Sequence, residues 1–260
     1  MVRPSRVARG VLALLFLPAA APAQTILNTE RFQLDEVDGP HLSAEVSLSF
    51  QGGNARVLDA STSGMVGTLS GSNWLRAIFG GRYLSTRESS VLDAEFLQLR
   101  YSRVLSPATR TFHFLQAQRN RTLLLRSRWL AGTGVRTDVV RSRRGRFALG
   151  SGVMGEREVL DPDRLGQDEE ERTDAVRLAN LAVFSWEADR GPRILNILYV
   201  QPDVSSFGDI RILNDFALTA PLGSGISSSL SLEWRHDTRP PGTLGSDDLR
   251  LAAGLALAFP

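Results

Sequence analysis

The residues that could do chemistry here are few in kind. There are three histidines, His41, His113 and His236, and no cysteine. Lack of cysteine excludes disulfides, thiolate metal sites and a cysteine nucleophile. A serine hydrolase needs a serine, a histidine and an acid or amide held together. His236 beside Asp237, with Ser228 in the same segment, is the one pairing on offer. Neighbouring residues on a strand point to opposite faces, which separates that pair. The expectation is no enzyme, no catalytic residue and no cofactor. The acidic run Asp161, Asp163, Asp168, Glu169, Glu170 and Glu171 could gather a divalent cation, because hard cations favour clustered carboxylates. Read as an EF-hand loop from Asp161, it has Gly166 in place but Leu165 and Arg172 where ligands belong. A solvated loop, not a metal site, is expected there. Gly132-Thr133-Gly134 and Gly150-Ser151-Gly152 look like fragments of phosphate loops. No helix follows either, so they read as bends or thin packing positions.

The richest chemical set is one of paired charges. Arg100, Arg126, Arg128, Arg211 and Arg235 stand with Glu45, Glu156, Glu158, Asp215 and Glu233, each opposite the apolar face of its segment. As lumen-lining residues they could form charge rings that select solutes in a narrow pore. They could equally fill a small barrel's interior as cross-strand ion pairs, and that is the reading expected.

Alternation is the property that positions them. In Ile226–His236, Ile226, Leu230, Leu232 and Trp234 share one face, and Ser227, Ser229, Ser231, Glu233 and Arg235 the other. In 249–259, Leu249, Leu251, Leu255, Leu257 and Phe259 oppose mainly Ala and Gly. Each arm is about the ten residues that cross a bilayer as a tilted strand, apolar outward and polar inward. Twelve such segments are expected, at 41–51, 56–69, 74–84, 92–105, 109–118, 123–141, 145–159, 174–188, 193–201, 210–222, 226–236 and 249–259. The second and seventh alternate poorly. Even-numbered connections are compact, such as Ser70-Gly71-Ser72 and Ser142-Arg143-Arg144, whereas odd-numbered ones include 160–173 and 237–248. Tight turns at one end and longer loops at the other are the pattern of an outer-membrane barrel. The Arg239-Pro240-Pro241-Gly242 stretch reads as a stiffened outer turn. Tyr83, Tyr199 and Trp234 near outer strand ends, and Trp186 near an inner end, are expected as membrane-interface aromatics. Trp129 sits deeper and fits that pattern less well. The fold class expected is thus all-β, a transmembrane antiparallel up-and-down β-barrel.

The chain begins with Arg3, Arg6 and Arg9, then apolar Val11 to Leu17, then Ala21-Pro22-Ala23. This is the layout of a cleaved signal peptide over 1–23, and the apolar run is too short to span a membrane as a helix. A periplasmic lead-in over 24–40 and a barrel over 41–260 follow. The formal charge is +2, but 30 basic residues less those three arginines leave 27 against 28 acidic. The basic isoelectric point therefore offers no argument for nucleic acid. Outer-membrane lipid, lipopolysaccharide and the barrel-assembly machinery are the partners expected instead, and no nucleic acid.

The blocks FLQLRYSRVLS (96–106), FLQAQRNRTLLLRSRWLAGTGVR (114–136), GVMGEREVL (152–160), YVQPDVSSFGDIRILNDFALTAPL (199–222) and LSLEWRHDTRPPG (230–242) come in an order that resembles the salt-induced outer-membrane proteins. That is a domain-of-unknown-function family, number 481, and the likeness covers most of the chain. The resemblance implies an outer-membrane barrel with a structural or envelope-stress role, and no catalytic residues to carry over. One departure is Pro260 after Phe259, where a terminal aromatic ordinarily ends such a chain. A narrow diffusion pore is the alternative function, and an outer-membrane lipid hydrolase a remote one.

Overall fold

Period-two alternation leaves each segment with one apolar and one polar edge, and only pairing in a sheet satisfies its backbone. The computed structural model describes residues 11–14, 38–51, 57–86, 90–167, 169–189, 191–223 and 226–258. The strands are β1 (Val11–Leu14), β2 (Gly39–Gln51), β3 (Val57–Ser70), β4 (Asn73–Thr86), β5 (Ser90–Val104), β6 (Thr109–Asn120) and β7 (Leu125–Arg141). They continue as β8 (Gly145–Leu160), β9 (Arg172–Leu178), β10 (Asn180–Glu187), β11 (Arg193–Pro202), β12 (Ile210–Gly223), β13 (Ile226–Asp237) and β14 (Asp247–Ala258). All lie in one antiparallel sheet, ordered β1-β14-β13-β12-β11-β10-β8-β7-β6-β5-β4-β3-β2, with β9 also on β8.

Eleven of the twelve expected segments each become one strand, with ends moved by no more than two residues. The eighth, 174–188, is interrupted at Ala179, whose N–H reaches the Gly152 carbonyl at 2.9 Å, so β9 and β10 form one crossing beside β8. The poorly alternating second and seventh segments, β3 and β8, are regular strands, because pairing on both sides overrides a weak local pattern. Part of the expected signal core, Val11–Leu14, runs antiparallel to β14, with Leu14 opposite Leu255. Arg3, Arg6, Arg9, Ala21-Pro22-Ala23, the lead-in before Asp38, Asp168, Phe259 and Pro260 lie outside the described residues. No ladder joins β2 to β14 among the described residues.

The two faces are inverted relative to a water-soluble sheet. Leu48, Leu75, Leu99, Leu115, Val153 and Leu251 are exposed on one face. Arg76, Gln98, Arg128, Glu156, Arg211 and Asp215 are buried on the other. Burying those charges requires the sheet to curl. Arg211 on β12 meets Glu156 and Glu158 on β8, three pairings away, where side chains standing perpendicular to a flat sheet would not touch. Farther round, Leu244 after β13 packs against Leu123, Leu125 and Leu160 at the β6–β7 and β8 ends.

Glycines mark close backbone approach between β7 and β8. A Cβ on Gly152 would overlap the Thr133 carbonyl oxygen and lie 2.8 Å from Gly134 Cα. The ring of Phe112 covers Gly134 and that of Phe114 covers Gly132. The phosphate-loop look of these segments is therefore close backbone approach under stacked aromatics. Gly152→Ala is expected to destabilise the fold by about 1–3 kcal/mol, since the obstacle is backbone and cannot swing aside. Urea unfolding in detergent reads this, and an unchanged midpoint would show that the β7–β8 approach is looser than it looks.

Candidate functional site

On β8 the sequence Glu156-Arg157-Glu158 places two acids on the buried face and an arginine on the exposed one. The neighbouring β7 and β9, and β12 three pairings away, supply the cations. Arg128 of β7, whose side chain is 0% exposed, reaches Glu156 at 2.7 Å and Glu158 at 3.1 Å. Arg211 of β12 reaches Glu156 at 2.6 Å, Glu158 at 2.9 Å and Asp237 at 3.0 Å. Arg177 of β9 lies 3.4 Å from Glu156 and 3.0 Å from Asp209. Three guanidinium groups thus share four carboxylates, and each charge is hydrogen-bonded, which is the condition for burying it at all.

The loops close over this network. Arg121–Leu123 makes one turn of 3-10 helix, N-capped by the Asn120 side chain on the Thr122 and Leu123 amides. Asp161 N–H donates to the Leu124 carbonyl at 2.7 Å, and Arg164 to that of Arg121 at 3.0 Å. Gly242 N–H donates to the Glu169 carboxylate at 2.9 Å. Gly242 holds φ at +61°, so the turn after Pro240-Pro241 needs glycine. One member of the acidic run, Glu169, therefore ties two loops together, and no metal-binding cluster occurs among the described residues. In the β11–β12 loop, burial works to raise the pKa of Asp203. Hydrogen bonds from the Ser205 hydroxyl and from the Ser205 and Ser206 amides, with Arg177 nearby, outweigh it and hold the carboxyl below its usual value.

Of the proposed lumen-lining residues, the structure gathers Arg128, Glu156, Glu158 and Arg211 into this network. Arg100 is buried on the same face, with its guanidinium 5.3 Å from the Phe112 ring, and Asp215 is buried there too. Glu233 and Arg235 are half-buried and pair with each other at 3.1 Å. Glu45 pairs in register with Ser63, opposite Gly80, on that face, but it stands exposed on β2, which among the described residues is paired on one side only. Arg126 is a correction. The β7–β8 register shifts between Leu125 and Ser127, and this bulge turns Arg126 out to Glu171 at 3.7 Å.

Among the aromatics, Tyr83, Trp186 and Trp234 lie on the apolar outer face near strand ends, and the Trp234 indole donates to Asp247 at 3.0 Å. Tyr199 is the second correction. It sits opposite buried Leu181 and Leu213 and packs inward against the Ala148, Leu181, Val183 and Ile197 cluster. Trp129 instead joins the outer set, 62% exposed and paired with Arg157, whose ion pair with Asp174 marks the loop-end rim. His236 and Asp237 point to opposite faces as expected. His236 turns to Asp247 at 2.9 Å, a contact only cross-strand register could supply.

Residues 44–259 match the model of a family described as "Protein of unknown function, DUF481". The chain belongs to that family. No curated protein matches it. Among solved structures, the DUF481 chain is similar to one titled "NanC porin structure in rhombohedral crystal form", at 9% identity and TM-score 0.45, covering 84% of this chain and 97% of that one. It is also similar to a "Bacterial polysaccharide outer membrane secretin", at 10% identity and TM-score 0.39, covering 86% of this chain and 93% of that one. Several residues of this DUF481 chain that lie in or beside its interior escape a reading of the sequence. Arg177, Asp209 and Asp237 complete the ion network. Gln98, Gln116 and Gln118 form an amide ladder with bonds of 2.7 and 2.6 Å. The polar positions on the strands were visible, but the register that sets Gln98 opposite Gln116 and Arg211 opposite Asp237 was not.

Proposed function

We propose that this DUF481 protein is an integral outer-membrane β-barrel, closed by pairing of β2 with β14, whose role is structural rather than catalytic or conductive. The carrying observation is the inversion of the faces: large aliphatic residues stand exposed outside while hydrogen-bonded ions are buried inside. In water an exposed apolar surface of that extent is unfavourable, and in a bilayer it is required. Trp and Tyr near both strand ends suit the headgroup layers, and the short turns suit a periplasmic end. Removal of a signal peptide containing Val11–Leu14 would free the β14 edge for β2, abolishing both sheet edges. Insertion by the barrel-assembly machinery and contact of the loop end with lipopolysaccharide belong to the same reading. A role in envelope stress rests on the family resemblance.

The protein should fractionate with outer membranes and migrate in a heat-modifiable form. Recovery as a soluble periplasmic monomer would overturn the proposal. The native absence of cysteine allows a direct test of the seam: Ser47→Cys on β2 combined with single cysteines along 249–255 of β14 should give a disulfide at one register. In planar bilayers the ion network and tied loops predict no steady conductance. Stepwise openings would favour a narrow diffusion pore instead, and turnover of lipid by the purified protein would revive the hydrolase reading.

A further inference from the structure

The loop end closes on itself, but the turn end carries charge it does not neutralise. A cavity of about 400 Å³ lies between the β7–β8 and β10–β11 turns, lined by Arg141, Arg143, Arg144, Arg146, Arg193 and Trp186 among others. Three carboxylates answer the five guanidinium groups. Asp189 takes Arg144 and, at 3.5 Å, Arg143. Asp138 takes Arg146 at 2.8 Å and lies 3.9 Å from Arg141. Glu187 takes Arg193 at 2.7 Å. Among the described residues the cluster therefore keeps two positive charges in excess. Four of its five cations are presented rather than buried, with the Arg143 side chain 84% and Arg141 53% exposed. Trp186 stands on the outer apolar face directly above, opposite Gly145 and Ile194.

We propose that this rim is a binding site for an anionic phospholipid of the periplasmic leaflet. The arginines take the headgroup phosphate, and Trp186 with Ile194 carries the start of the acyl chains. The inference rests on the membrane reading above. Arginine suits the role because its planar fork gives paired hydrogen bonds to phosphate oxygens. The indole suits the boundary between headgroup and chain. A free phosphate ion would find the charges but not the apolar contact, so the lipid is the better occupant.

The test uses the full chain refolded into phosphatidylcholine bilayers, where heat-modifiable migration first reports insertion. Spin-labelled phosphatidylglycerol and phosphatidylcholine then report relative association with the protein. Near-surface arginines should favour the anionic lipid by about fivefold each at low salt, falling towards parity as salt screens them. Arg141→Gln/Arg143→Gln/Arg144→Gln should remove most of that preference. Arg143→Gln alone should lower it, and settles the matter if the triple variant does not refold. Arg119→Gln/Arg121→Gln/Arg126→Gln at the loop end should leave it intact. Inorganic phosphate at millimolar concentration should not displace the lipid, and displacement would make this a simple anion site. An inserted wild-type protein with no preference, or a preference kept by the turn-end variants, overturns this inference alone. Failure to insert overturns the membrane reading and this site with it.

Discussion

Arg211→Met is expected to destabilise the folded protein by about 3–5 kcal/mol, the usual cost of leaving buried charges without their partner. The variant keeps much of the side-chain volume but strips Glu156, Glu158 and Asp237 of contacts at 2.6, 2.9 and 3.0 Å. These carboxylates are buried, at no more than 5% exposure, so none is placed to take water in exchange. Urea unfolding in one detergent or lipid should show the midpoint fall. Arg126→Met, at the bulge that faces outward, should change it by no more than about 0.5 kcal/mol. In the double variant Arg211→Met/Glu158→Gln, the loss should be smaller than the two single losses added, since one deletion relieves the charge stranded by the other. Equal effects at 126 and 211 would mean that the network is solvated and not a plug.

The second large effect separates the faces of β13. Leu232 lies in register between Phe216 and Leu251 on the outer face. Ser231 lies between Ala217 and Ala252 on the inner one. Both are central in the strand, so Leu232→Arg should cost roughly 2–4 kcal/mol, the penalty of a cation at the bilayer midplane. Ser231→Arg enters a lining of small residues with Glu233 two positions along, and its smaller cost comes from crowding. The measurement is urea unfolding in the same lipid. A reversed order would mean that β13 is shifted by one residue, which exchanges its faces completely. Two negligible effects would mean that the segment does not cross a membrane.

Pairs that no motif announces hold the interior together. Arg128 and Glu158 are neighbours across one ladder, but Arg211 belongs to a strand three pairings away. Such a contact depends on how far the sheet curls. The two misplaced residues differ in origin. Arg126 would share a face with Arg128 on an unbroken strand, and a bulge between Leu125 and Ser127 breaks that parity. Tyr199 sits near a strand end where an interface aromatic is expected, yet its register with Leu181 and Leu213 points it inward.

The sequence by itself determined the strands, their number to within the break at Ala179 and the short β1, and the alternation of short turns with longer loops. It also determined which face of most strands is apolar. These are local properties, written in residues one or two positions apart, and a strand's side-chain period follows from backbone geometry alone. Tertiary structure decided the rest: the bulge that ejects Arg126, the inward turn of Tyr199, His236 meeting Asp247, and the joining of Arg177, Arg211 and Asp237 around Glu156 and Glu158. Those depend on register between strands and on curvature summed over many of them. Neither quantity is carried by any short stretch of the chain, because each is set by what the neighbouring strands allow.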